Sequence, residues 1–311
     1  MTEVKKLKQI KTIPDLLYIY ENRNHEYYKD LHFENPDYDR KNDDYRLNFT
    51  NFDKIKNIIE GINNLVGMES CKDIILGFVL SCLRGTKEKS YNFILTAMSR
   101  NMKLVNEMVN LYYGLGLTSN CNYFILNTVN INHLLKIKDH TELTHQIYKM
   151  IDNISFIIID IEYIDYADRQ IERILNIVNN ITIKGNDPIT ILIGPNIHCM
   201  SYFKLDYRLC ETYLYRLEYE FSEDDLFKIY KQNLKKRNIS IPKNCKVYIT
   251  NLFRNYKDSI FDDVSEIKYI AWLTQLEHSK ILKKVDLSRE TVRKAFELFE
   301  KKDEKDTGMH M

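Results

Sequence analysis

The feature that most constrains this chain is a set of apolar runs, too short to cross a membrane and too unbroken for half-exposed strands. YNFILT (91–96), SFIIIDIEYID (155–165) and PITILIGP (188–195) include Phe156–Ile159 and Ile189–Ile193, which lack clean polar–apolar alternation. Strands read this way when both of their faces are covered. A fourth run, NYFILNTV (122–129), joins them. Between the runs lie 102–116, 140–152 and 168–181, where apolar residues recur at helical spacing. Strand and helix in alternation, with doubly buried strands, predict a parallel sheet sandwiched between helices.

The flanks read differently. Residues 1–50 are charged and Tyr-rich, with a helix start at Ile13–Pro14–Asp15 and an exposed connector at 35–46. From Asn51 the chain predicts a helix, a break at Gly67, and a second helix with Ile74, Ile75, Phe78, Val79, Cys82 and Leu83 on its apolar face. Near Tyr219 the character changes to helices only. Ser222 is placed to cap the first, with acids in its first turn and bases in its last. Helices are expected over 244–257, 262–283 and 288–301. The expected organisation is an N-terminal charged helical extension over 1–50, an α/β core over 51–218, a helical domain over 219–301 and a flexible tail over 302–311.

Composition narrows the function classes. With 45 basic and 44 acidic residues the net charge is +1, so nucleic acid is a possible partner but not an indicated one. The two basic clusters, Lys5–Lys6–Leu7–Lys8 and Lys235–Lys236–Arg237, read as solvated helix faces. The six cysteines form no CxxC pair, and His140 and His145 have no supporting carboxylate, so no metal is expected. The N-terminus has no apolar segment behind its basic residues and no run is long enough for a membrane helix. The expected location is the cytoplasm, with the nucleus as an alternative.

One segment carries a chemical question. NFILTAMSRNMKLVNEM (92–108) has the outline of a phosphate-binding loop: a strand, a polar loop, and a helix with Lys103 at the junction. Such a loop needs glycines, because its successive N–H groups close around phosphate without interference from Cβ atoms. Here there are none.

In order and spacing the chain resembles the CbxX/CfqX-type family of AAA+ ATPases, which includes red-type rubisco activases and a sporulation ATPase. LVGMESCKDII (65–75) is similar to that family's opening L-I-G-L-E-x-V-K-x-x-I, and LYYGLGL (111–117) to its L-Y-x-x-L-G. HTELTHQIYKMIDNISFIIIDIEYI resembles the helix leading into the Walker B segment L-F-I-D-E-A-Y, and YEFSEDDLFKIYKQNLKKRNISI the start of the lid. The resemblance spans about 51–301 and implies a three-layer P-loop NTPase-like parallel sheet with an all-helical lid, Mg-ATP as cofactor, and subunits that assemble.

The departures follow one direction. In the frame that keeps the lysine, Ala97–Met98–Ser99–Arg100–Asn101–Met102–Lys103–Leu104 replaces both glycines, and Leu104 stands where a hydroxyl would hold Mg²⁺. Forcing a non-glycine residue into the left-handed region costs ~1–2 kcal/mol. Asp160 keeps the Walker B position, but Ile161 stands where the family has the Glu that polarises water, and Glu162 lies one residue on. The intersubunit arginine position reads Glu211–Thr212, with Arg208 and Arg216 out of register. The lid arginine position reads Asp263–Val264–Ser265, with Lys268 beyond it. Phosphoryl transfer rests on positioning and charge stabilisation, so these losses together predict no catalysis. The leading expectation is a catalytically inactive AAA+-like subunit of a homo- or hetero-oligomeric protein assembly, with no catalytic residues, no cofactor, and Lys103 and Asp160 as vestigial nucleotide positions. The alternatives are an ATP-binding sensor using Lys103, Asp160 and Glu162, a clamp-loader-like nucleic-acid subunit, and an α/β domain unrelated to AAA+.

Overall fold

The computed structural model describes residues 5–33, 46–86, 90–96, 102–161, 164, 168–184, 188–204, 208–218, 221–256, 264–281 and 286–307. The chain divides into two compact units: one holds the sheet, and the other begins at Glu220 and also takes in Val66–Met68.

Five strands build the sheet of the first unit: β1 (Asn92–Thr96), β2 (Tyr123–Leu126), β3 (Phe156–Asp160), β4 (Ile189–Gly194) and β5 (Tyr213–Glu218). All pair in parallel, in the order β2-β3-β4-β1-β5. Every residue of β1, β3 and β4 is buried, which is why their sequences do not alternate. The helices of this unit are α1 (Ile13–Glu21), α2 (Phe52–Asn63), α3 (Glu69–Leu83), α4 (Met102–Gly114), α5 (Thr128–Leu134), α6 (His140–Met150), α7 (Arg169–Lys184), α8 (Asn196–Phe203) and the short α9 (Leu209–Thr212).

Successive strand residues point to opposite faces. On one face Ile94, Leu126, Ile157, Ile159 and Leu192 form a continuous core with residues of α5 through α9. On the other, Tyr112 of α4 packs against Phe93 and Phe156, and Phe78 of α3 stacks on Tyr112 with centroids 4.7 Å apart. The sheet is thus the middle of three layers. Gly114 is required by a close helix approach: a Cβ there would lie 2.6 Å from Ile55 Cγ2 of α2. Beyond it Gly116 takes φ +75°, with its N–H on the Tyr113 carbonyl and that of Leu117 on Tyr112, a Schellman ending.

The structure adds elements that periodicity left out. The run 122–129 is a strand only to Leu126, because Asn127 turns the chain and caps α5 through the Asn130 N–H. α9 and β5 fall in the stretch read for its arginines, and α8 just before it. β5 was hidden because, as an edge strand, it mixes Arg216 and Glu218 with its apolar residues.

The second unit contains α10 (Glu223–Lys236), α11 (Lys246–Asn255), α12 (Val264–Ser279) and α13 (Arg289–Thr307). α13 continues past the end at 301 that the pattern suggested. Ser222 and Asp225 form a reciprocal capping box at the start of α10. Tyr230, Phe253 and Phe296 form a buried chain of rings, and the Tyr230 hydroxyl meets Thr274 Oγ1 at 2.8 Å. Gly67 (φ +71°) and Met68 (φ +62°) are both left-handed, and a Cβ on Gly67 would meet Phe221 and Asp225 at 3.2–3.3 Å.

Candidate functional site

In open α/β sheets, ligands bind beyond the carboxyl ends of the strands where the strand order reverses. Here the chain leaves β1 for the far edge at β2 and then returns through β3 and β4, passing β1 to reach β5. The candidate site is therefore the edge formed by the ends of β1 and β3 and the start of α4. Thr96 lies opposite Gly194 and Asp160 opposite Ile193, which fixes the level of the strand ends.

Lys103 sits in the first turn of α4 and is exposed. Leu104, the next residue, is 1% exposed and belongs to the core. Asp160 ends β3 at 7% exposure, on the same face as Phe156, the face that α4 covers. Ile161 is fully buried in the opposite core, among the residues of α5 through α9. Its N–H donates to the Ile193 carbonyl (2.9 Å), extending the ladder, and its carbonyl lies 3.1 Å from His198 Nδ1. Sequence reasoning had no signal for His198, which reaches this edge from α8. It also passed over Thr96, whose buried hydroxyl has no partner among the described residues.

The other sequence-selected residues are dispersed. Arg216, on β5, pairs with Glu218. Arg208 and Glu211 are exposed, and the Thr212 hydroxyl donates locally to the Leu209 carbonyl at 2.9 Å. Lys268 is exposed on α12 of the second unit. Residues 97–101, Glu162 and Asp263 lie outside the described residues. Among the cysteines, burial pushes the Cys71 thiol up to about 11 and Cys199 up to about 12, so neither supplies a thiolate nucleophile near neutrality. No helix among the described residues is long and apolar enough to cross a membrane.

Comparison with known proteins adds the fold. No family model matches the chain, and no curated protein does. Among solved structures it is similar to a point mutant of Thermotoga maritima RuvB, with TM-score 0.51 and 12% identity over 76% of this chain and 72% of that one. A likeness to the FIGL-1 AAA domain has TM-score 0.47 and 11% identity over 78% and 89% of the two chains. One to C. elegans PCH-2 has TM-score 0.39 and 12% identity over 79% and 69%. The parallel sheet, its strand order, the helical region that follows and the likeness to RuvB together give the fold: an AAA+-type α/β core followed by a helical domain.

Proposed function

We propose that this chain is a non-hydrolysing AAA+-like module that serves as a structural or regulatory subunit of a protein assembly. One observation carries the reading: Leu104 and Ile161, at the positions that would need a hydroxyl and a carboxylate, are 1% and 0% exposed core residues. Mg-ATP, the cofactor that the fold family implies, does not fit this arrangement. An apolar side chain has no lone pair for a magnesium ion, and one packed in a core cannot turn out to orient water. An exposed lysine in the first turn of a helix offers one charge, without the glycine cradle that makes a phosphate site. Lys103 and Asp160 are then remnants of a nucleotide position. An AAA+ fold can present large binding surfaces without turnover, since function lives in sites and not in folds. In this reading the core covers 51–218 and the lid 219–301, following an N-terminal extension.

The test is calorimetric titration with Mg-ATP and Mg-ADP of the full chain and of Lys103→Ala, together with a phosphate-release assay. The expected result is no binding heat at millimolar nucleotide, no phosphate release, and identical traces for the variant. Saturable binding that is lost in Lys103→Ala would replace this reading with that of a nucleotide sensor. Phosphate release would restore the enzyme.

A further inference from the structure

On the first unit, a cleft of about 420 Å³ lies against the N-terminal segment. It falls in the size range of specific ligand pockets, roughly 300–1,000 Å³. Its floor is aliphatic: Ile19 of α1 and Leu47 are buried, and Leu80 of α3 lies beside them. Leu31, 44% exposed, forms a lip. Residues 7–10 make one wall, and this wall is held in place. The Tyr28 hydroxyl accepts the Leu7 N–H at 2.9 Å and donates to the Lys5 carbonyl, while the Tyr18 hydroxyl accepts the Lys5 N–H at 2.7 Å.

Among the described residues, the rim carries positive charge only. Lys8 and Arg84 line the cleft, both are exposed, and neither has an ion-pair partner among the described residues. Among the described residues, the lining includes no carboxylate and no aromatic ring. Within the described lining, nothing neutralises the two cations. The absence of rings bears on the ligand: single-stranded nucleic acid is held by stacking on rings, which the described lining does not offer. An aliphatic floor beneath two cations instead complements an aliphatic group carried next to a carboxylate.

We infer that this cleft docks an acidic, leucine-rich peptide segment of a partner protein, with aliphatic side chains on Ile19, Leu47 and Leu80 and carboxylates at Lys8 and Arg84. The cleft uses none of the strand-end residues, so the inference stands apart from the question of nucleotide binding. Fluorescence anisotropy of the full chain tests it, with a fluorescein-labelled peptide of alternating leucine and glutamate as probe. Comparators are the same peptide with lysine for glutamate, a short oligothymidylate and decanoate. The leucine–glutamate peptide is expected to bind saturably, and the lysine peptide not to bind. The double variant Lys8→Glu, Arg84→Glu should weaken the binding about tenfold or more. Leu31→Asp should weaken it too, and the melting curves of both variants should match the parent. The inference is overturned by no saturable binding at millimolar peptide, by equal binding of the two peptides, or by variants that bind like the parent. It is also overturned if oligothymidylate or decanoate binds more tightly than the acidic peptide.

Discussion

The two ends of the sheet bury polar groups in different company. At the carboxyl ends of β1 and β3, Leu104 and Ile161 are packed as core beside the buried Thr96 and Asp160. At the other end, buried polar groups bond one another. Asn92 begins β1 fully buried, and its Oδ1 accepts the Thr190 N–H of β4 at 2.7 Å. Thr190 Oγ1 meets Thr182 Oγ1 of α7 at 2.9 Å, and Thr182 donates in turn to the Val178 carbonyl at 3.0 Å. Nearby the Tyr202 hydroxyl of α8 donates to Asn179 Oδ1 of α7. Most buried polar groups are paired, and pairing fixes which residues must face each other. The polar end ties α7 and α8 to their places on the sheet. At the carboxyl end the buried Thr96 hydroxyl has no partner among the described residues.

That contrast can be broken by experiment. The largest effect should come from Ile161→Glu, which returns a carboxylate to the Walker B position of the resemblance. Because the site is fully buried, the variant should lose more than about 3 kcal/mol in urea unfolding and gain no ATP hydrolysis. Parent-like stability would mean that the position opens to water and the strand-end site is not closed. Leu104→Ala comes next. It removes a core side chain at the Mg²⁺ hydroxyl position and should cost about 3 kcal/mol through the cavity it leaves. A loss below about 0.5 kcal/mol would mark Leu104 as a surface residue, against its 1% exposure.

At the polar end, Asn92→Ala should cost about 2 kcal/mol, since it leaves the buried Thr190 N–H without its acceptor. Faster hydrogen exchange at Thr190 would accompany it, and unchanged exchange would show the bond to be dispensable. The smallest effect belongs to the cap of α10 in the second unit. Burial raises the Asp225 carboxyl, but hydrogen bonds from Ser222 and Lys228 outweigh it and hold the group below the ordinary aspartate range. A depressed folded-state value means that this stabilisation is present above the unfolded value, near 3.9, and is lost as pH falls through the lower folded value. Asp225→Asn should therefore flatten the acid limb of the stability profile below about pH 4 and leave its alkaline side unchanged. An unaltered acid limb would count against the capping box.

Much of the architecture was legible because it follows from short-range pattern. Unbroken apolar runs marked β1, β3 and β4, and Ser222 with its acids marked the start of α10. The elements that escaped lack such a pattern. β5 has one neighbour and carries Arg216 beside its apolar residues, so neither continuity nor alternation shows. α8 follows Pro195 within a few residues of a strand, and its His198 meets the Ile161 carbonyl across a separation of 37 residues.

The candidate site divides along the same line. By itself the sequence determined that no glycine borders Lys103, that a leucine follows it, and that an isoleucine follows Asp160. Those are facts of composition at fixed spacing. Only the tertiary structure decided that Leu104 and Ile161 are sealed into the two cores on opposite faces of the sheet, while Lys103 stays in solvent. Burial depends on which helices cover which face, and that is set by strand order and by contacts between residues far apart in the chain.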